Sequence, residues 1–488
     1  MSARLRTISP IDGSVYVERE LAGPERIERA LAAASAAQIG WRATPLSERI
    51  EVVHRTVEVM NAQADEIGVE LAWQMGRPVA YGPKEIRGGF AERALAMAAM
   101  APAALADLGV HWDGPTPVQE RLAEGTPATE QRAGAGQPRR RVRPLPIGVV
   151  LVLAPWNYPF LTAVNAVVPA LLAGNAVLLK HSDQTPLAAE RLERALREAG
   201  LPDGVLQALH LSHAAVAAVI GDERVGYVHF TGSVAGGRAV KRAAAERFIE
   251  VGLELGGKDP AYVRADAELE HAATNLVDGA YFNSGQSCCG IERIYVQRAV
   301  MEPFLERFVH HARSLVLGDP RDPGTTIGPM ARAAGAELAR AHVAQAVAAG
   351  ARTLLRPSDV PGGREGTAYL APQALVDVTP DMRVMREETF GPVVGIVAVD
   401  DDEAALRAMN DSRYGLTASI WTRDLDAALR LGGRVATGTC YANRCDYLDP
   451  LLAWTGVKDS GRGVSLSHLG FAPFTRPMSF LLQEPGSP

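Results

Sequence analysis

The early part of the chain repeats apolar positions every three to four residues. Residues 26–38 (RIERALAAASAAQ), 47–74 and 83–106 each carry an alanine-rich stripe with charges opposite, and each is predicted as a helix. Between Leu108 and Arg143 this pattern collapses into Gly, Pro, Thr, Gln and charge, and EGTPATEQRAGAGQPRRRVR is weakly structured by composition. After Arg143 the period changes. IGVVLVLAP is a short apolar run bounded by Gly and Pro, the pattern of a strand buried on both faces. A helix from Pro159 to Ala173, the strand AVLLK, a helix over 186–199, the strand GVLQALH, a helix over 213–220 and the strand VGYVHFTGS follow. This alternation predicts a doubly wound α/β sheet, a dinucleotide platform, although no GxGxxG fingerprint is present. From Glu254 onward a second α/β unit is expected, with strands RIYVQ, VVGIVAV and LTASIWT.

Composition narrows the function classes. With 488 residues, 47% hydrophobic and 22% charged, the chain is an ordinary globular one of two or three domains. Fifty Lys plus Arg against fifty-six Asp plus Glu give a net charge of −6, so there is no electrostatic case for nucleic acid. Pro144 to Leu179 lacks any Asp, Glu, Lys or Arg and is long enough to span a bilayer, but Pro146, Pro155, Pro159 and Pro169 break it, and no membrane partner is expected. The N-terminus has no apolar signal region, and two of the four cysteines (Cys288, Cys289, Cys440, Cys445) are adjacent. A reducing, cytoplasmic location is expected. Arg139, Arg140, Arg141 and Arg143 fit a solvated edge strand or hairpin better than an anion site. The close histidine pairs, His210/His213 and His310/His311, lack matching carboxylates or cysteines, so no metal is expected.

Five segments carry residues that a globular core does not require. Pro155-Trp156-Asn157-Tyr158-Pro159 follows a buried strand, where α/β ligand crevices open, though it also fits a rigid Pro-framed turn. Lys180 and Asp183 end another strand and suit a ribose or an ordinary surface turn. Phe230-Thr231-Gly232-Ser233 runs into a helix start that can offer N–H groups to phosphate. Glu254, in an apolar strand before Gly256-Gly257, is costly unless paired or used. Cys288 and Cys289 sit in a Gly/Ser/Gln loop, where a thiol is either reactive or inert.

In order, PWNYP, LLAGNAVLLK, FTGS, ELGGK, GQSC, EETFGPV and GVKDSGRG resemble the NAD(P)-dependent aldehyde dehydrogenase superfamily from about residue 30 to 484. The resemblance implies an α/β fold with a Rossmann-type cofactor domain (1–128 and 146–253), a catalytic domain (254–440) and a return segment lining the substrate site (441–469). It also implies oligomerisation elements at 129–145 and 470–488, hence a homodimer or homotetramer. Cys288, two after Gln286, would attack the aldehyde as thiolate. Asn157 and the Cys288 N–H would hold the oxyanion, and Glu254, its pKa raised by apolar surroundings, would activate water against the thioester. Pro155, Trp156, Lys180, Asp183, Phe230, Thr231, Gly232, Ser233, Leu255, Gly256, Glu388 and Phe390 would contact the cofactor. Asp183 would repel a 2′-phosphate and favour NAD over NADP. The acyl pocket would be lined by Tyr158, Leu161, Ser287, Cys289, Arg444 and Trp454.

Several positions depart from the family. The Lys and Glu that many members use as a proton path are Ala166 and Ser465 here, and His181 replaces a proline after Lys180. Tyr158 and Trp454 could bracket a ring, while Asn165 stands where a third aromatic residue would complete a cage. Arg444 could anchor a carboxylate, or be solvated or paired with Asp446 or Asp449. The expected substrate is an uncharged aldehyde, with a carboxylated semialdehyde as the alternative. A coenzyme A-acylating enzyme, against which Glu254 argues, and a silent binding or structural protein on the same fold are the competing readings.

Overall fold

A computed structural model describes residues 3–109 and 139–483. Residues 110–138, which hold most of the weakly structured segment and part of the expected hairpin, lie outside the described residues, as do 484–488 of the tail.

Two sheets carry the molecule. The first has the order β17-β9-β8-β5-β6-β7, built from β5 (Val149–Ala154), β6 (Ala176–His181), β7 (Leu206–Ala208), β8 (Val225–Thr231), β9 (Glu250–Glu254) and β17 (Gly461–Arg462). Its strands are parallel except β17, which returns from far along the chain and pairs antiparallel with β9. β5 is buried at every position, which is why it reads as an unbroken apolar run. The second sheet has the order β12-β13-β14-β11-β10-β15-β16, from β10 (Asp259–Val263), β11 (Ile291–Gln297), β12 (Arg352–Thr353), β13 (Gln373–Val376), β14 (Val393–Val399), β15 (Thr417–Trp421) and β16 (Thr439–Ala442). Only β12 runs antiparallel in it. Among the described residues no helix is long and apolar enough to cross a membrane.

Two helical expectations change in detail. The stretch 47–74 is two helices, Leu46–Ala62 and Ala64–Met75, divided where Gln63 leaves helical geometry at ψ 2°. The stretch 83–106 opens with a π-helical turn, Glu85–Phe90, before the helix Ala91–Ala104. The wider turn matters because Glu85 within it is buried and caps another helix. A third, three-stranded sheet joins β3 (Leu108–Gly109), β4 (Arg139–Pro146) and β18 (Thr475–Leu482). The arginine run is its central strand rather than an edge, with Arg141 and Arg143 both paired to Asp107.

Candidate active site

The first sheet opens at the C-terminal ends of its strands into a crevice of about 670 Å³. Pro155 and Trp156 after β5, Lys180 and Asp183 around the end of β6, and Phe230 to Ser233 after β8 line it, the position at which open α/β sheets bind ligands. Lys180 Nζ donates to Asp183 Oδ1 at 3.1 Å. Ser233 caps the helix Val234–Ala243, its Oγ accepting from the Gly236 N–H at 3.1 Å, so the helix N-terminus faces the crevice. Thr231 also lines the crevice, but its hydroxyl donates to Glu254 Oε2 at 3.0 Å. Leu255 is buried and packs towards Gly237 in that same helix.

The loop after the helix Arg383–Arg386 reaches the crevice from the second sheet. Glu292, buried on β11 and ion-paired with the buried Lys258, accepts from the N–H groups of Thr389 (2.9 Å) and Phe390 (3.0 Å). Phe390 then meets Trp156 edge-on at 5.6 Å between ring centroids. Glu388 accepts from the Gly257 N–H at 3.0 Å and lies against Gly256; burial beside Glu292 pushes its carboxyl up to about 8.

The nucleophile candidates sit between the two sheets. A β-carbon on Gly257 would stand 2.4 Å from the Cys288 carbonyl oxygen, and one on Gly285 would stand 2.2 Å from that of Gly391. Both positions therefore require glycine, and the contacts lock ELGGK, GQSC and EETFGP around one point. Asn157 is buried, and its Nδ2 donates to the Gln286 carbonyl at 3.2 Å, two residues before Cys288. Cys289 is the more buried thiol. Its hydrogen bond with Cys288, burial and the Asp446 carboxylate hold it well above the usual thiol range, so it stays protonated while Cys288 is half-buried.

Glu254 corrects an expectation. Its apolar neighbours in sequence suggest a raised pKa, and burial does push it up. The charge of a protonated His229 and the hydrogen bonds donated by Ser465 and Thr231 outweigh burial and bring it below the usual carboxylate value. Ser465 and Thr231 both donate to the carboxylate, and His229 Nε2 lies 3.7 Å from Oε1.

The model of the aldehyde dehydrogenase family matches residues 1–479. The chain belongs to the aldehyde dehydrogenase family. It is 34% identical over 468 residues to the succinate semialdehyde dehydrogenase [NAD(P)+] of Escherichia coli, covering 96% of each chain. It is 31% identical over 473 residues to the succinate-semialdehyde dehydrogenase [NADP(+)] of Mycobacterium avium, covering 96% of this chain and 95% of that one. The crystal structure of an NAD-dependent aldehyde dehydrogenase from Sinorhizobium meliloti aligns with a TM-score of 0.89 at 31% identity, over 99% of this chain and 92% of that one. This aldehyde dehydrogenase is an oxidoreductase that oxidises an aldehyde. Relatives named for NADP as well as NAD correct the expectation that NADP is the less favoured coenzyme.

On the acyl side, some expected residues are engaged elsewhere. Arg444 is exposed and stacks on Tyr447 at 3.6 Å, paired with neither Asp446 nor Asp449. Asp446 instead accepts from Ser287 Oγ (2.8 Å) and Cys289 Sγ (2.9 Å). Tyr158 has the Arg77 guanidinium over its ring at 4.5 Å, and Trp454 is buried in the core, its backbone paired with Ser465. They do not form an open aromatic bracket.

Sequence reasoning missed Arg77, Glu85, Arg93 and His229. Arg77 and Glu85 form a fully buried ion pair. From it Arg77 donates to the Asn157 carbonyl at 2.5 Å, and Glu85 accepts from the Phe160 N–H at 2.9 Å, capping the helix Pro159–Leu172. Asn283 adds a bond to the same Asn157 carbonyl and one to the Gln286 carbonyl, each at 3.2 Å. Only Gly76 before Arg77, which takes φ +81° to end a helix, signals a special turn there. Replacing Arg77 by Met strands Glu85 as a buried charge. Denaturant unfolding should show a loss of about 3–5 kcal/mol, with kcat falling alongside; unchanged stability would contradict this role.

Proposed function

We propose that the chain oxidises its aldehyde with NAD(P), with Cys288 as nucleophile, Asn157 and the Cys288 N–H as oxyanion donors, and Glu254 as base for thioester hydrolysis. The observation that carries this reading is the convergence of Gly257, on the Glu254 segment, with the Cys288 carbonyl beside the Asn157–Gln286 bond. Attack by the thiolate places negative charge on the aldehyde oxygen, which the two donors stabilise without reorganising. Held in the crevice by Trp156, Lys180 and Ser233, the nicotinamide coenzyme would supply the hydride acceptor, and water activated by Glu254 would cleave the thioester. Glu254 favours hydrolysis over transfer to coenzyme A. Cys288→Ala should abolish oxidation while coenzyme binding persists. Glu254→Gln should release a burst of NAD(P)H and then stall. Steady turnover by either variant near the wild-type rate would sink the assignment.

For the substrate, Arg93 favours an aldehyde that carries a carboxylate. It is 7% exposed, bonded to the Leu161 carbonyl (2.7 Å) and Asn165 Oδ1 (3.3 Å), and among the described residues no carboxylate pairs with it. Its Nε is buried without a partner. Burial pulls its guanidinium down, while Cys289, Glu254 and Cys288 are near enough to hold it up. Arg77, by contrast, has its charge committed to Glu85. The names of the Escherichia coli and Mycobacterium relatives agree. Across propanal, hexanal, benzaldehyde and succinic semialdehyde, the last should lead in kcat/KM by more than about tenfold, roughly 1.4 kcal/mol. Arg93→Met should erase that lead, and a uniform ranking would return the choice to an uncharged aldehyde.

The coenzyme preference rests on Asp183. Its carboxylate is half-exposed at the crevice and bonded to Lys180, where it sets how well a 2′-phosphate is tolerated, and both NAD and NADP serve as coenzyme. Asp183→Ser should raise the NADP/NAD ratio of kcat/KM; an unchanged ratio assigns discrimination elsewhere.

Assembly as a homodimer or a dimer of dimers is supported by β18, an edge strand with Met478, Leu481 and Leu482 exposed. Light scattering at the monomer mass in dilute solution would exclude it.

A further inference from the structure

The reading of Glu254 as base leaves it a proton to dispose of, and Ala166 and Ser465 remove the Lys–Glu path that the family resemblance implies. A different file of groups lies behind it. On β8 the side chains of Tyr227, His229 and Thr231 share one face, in register with Glu250, Gly252 and Glu254 of β9. Thr231 Oγ1 bridges Glu254 Oε2 (3.0 Å) and His229 Nε2 (3.4 Å). Gly252 leaves a gap opposite His229. A β-carbon there would stand 3.2 Å from His229 Nδ1 and 2.1 Å from the Tyr227 hydroxyl, so both groups reach into the same space. Opposite Tyr227 in the strand register, Glu250 is exposed at the surface and bonded to the exposed Arg462 at 3.0 Å. Ser465 closes the Glu254 end, and Phe474 covers the file with an apolar ring 5.2 Å from Tyr227 and 6.4 Å from His229.

We propose that His229 is a positioning residue that relays the Glu254 proton, through Thr231 on one side and Tyr227 on the other, to the surface at Glu250. The proposal rests on the reading of Glu254 as base. In deacylation a C–O bond forms between water and the acyl carbon, the C–S bond breaks, and Cys288 leaves as thiolate. The proton removed from water rests on Glu254. It passes across Thr231 to His229 Nε2, and the imidazole releases its Nδ1 proton toward Tyr227 and solvent. Glu254 is thereby returned ionised for the next turnover. The imidazolium formed by this transfer also holds the buried carboxylate ionised until the Nδ1 proton leaves.

The test is His229→Gln in the full-length enzyme, followed by pre-steady-state NAD(P)H formation and steady-state turnover. The burst should persist, because acylation and hydride transfer do not use the relay. Steady-state kcat should fall about tenfold or more, within the range of a lost proton-transfer step. Turnover should become dependent on the concentration of a small buffer base such as imidazole at fixed pH and ionic strength, whereas wild-type turnover is not. A kcat within about twofold of wild type, or a fall without buffer dependence, overturns the relay. If His229→Gln does not fold, Tyr227→Phe decides on the same readouts. Wild-type-like turnover of His229→Gln in an enzyme that still requires Glu254 refutes the relay alone. Turnover without Glu254 removes the reading beneath it.

Discussion

The buried ion pair between Arg77 and Glu85 is the constraint on which the proposed site depends. Neither charge is free to leave, because each would be stranded in the core without the other. Held in place, Arg77 fixes the backbone of Asn157, and Glu85 fixes the first turn of the helix that follows. Asn283 ties the same carbonyl to the loop that bears Cys288. The distance between amide and thiol is thus set by groups that have no part in bond making. Such indirect positioning is what precise oxyanion stabilisation demands, since donors must be aimed before charge develops.

A similar division of labour runs through the cofactor side. The Lys258–Glu292 pair spends its second hydrogen-bonding capacity on the backbone of Thr389 and Phe390, bringing Phe390 to Trp156 across the crevice. Two buried ion pairs, one on each side, therefore hold the two loops that face each other. Charged residues in this enzyme act most where they are least exposed.

Much of the fold is legible because buried parallel strands read as continuous apolar runs: β5 does so without interruption, β6 does so up to Lys180, and β8 is broken only by Gly226, His229 and Thr231. The candidate residues were legible because glycine, proline and cysteine cluster where chains approach closely, as at Gly257 and Gly285. Arg77, Glu85, Arg93 and His229 were not. A charge in a helical segment looks solvated in sequence, and only the tertiary fold buries Glu85 in a π-helical turn or sets Arg93 against Leu161. The Glu254 pKa is illegible in the sequence for the same reason. Its neighbours along the chain are apolar, but the groups that set its proton affinity come from residues 231, 229 and 465.

The antiparallel return of β17 carries a consequence in time. Glu254 and Ser465 lie 211 residues apart, so at about 5–20 residues per second of synthesis the carboxylate precedes its partner by roughly 10 to 40 s. During that interval the first sheet lacks its last strand, and the base lacks one of its hydrogen-bond donors. The nascent chain can build most of its crevice early, but closure around Glu254 waits until Ser465 has been synthesised.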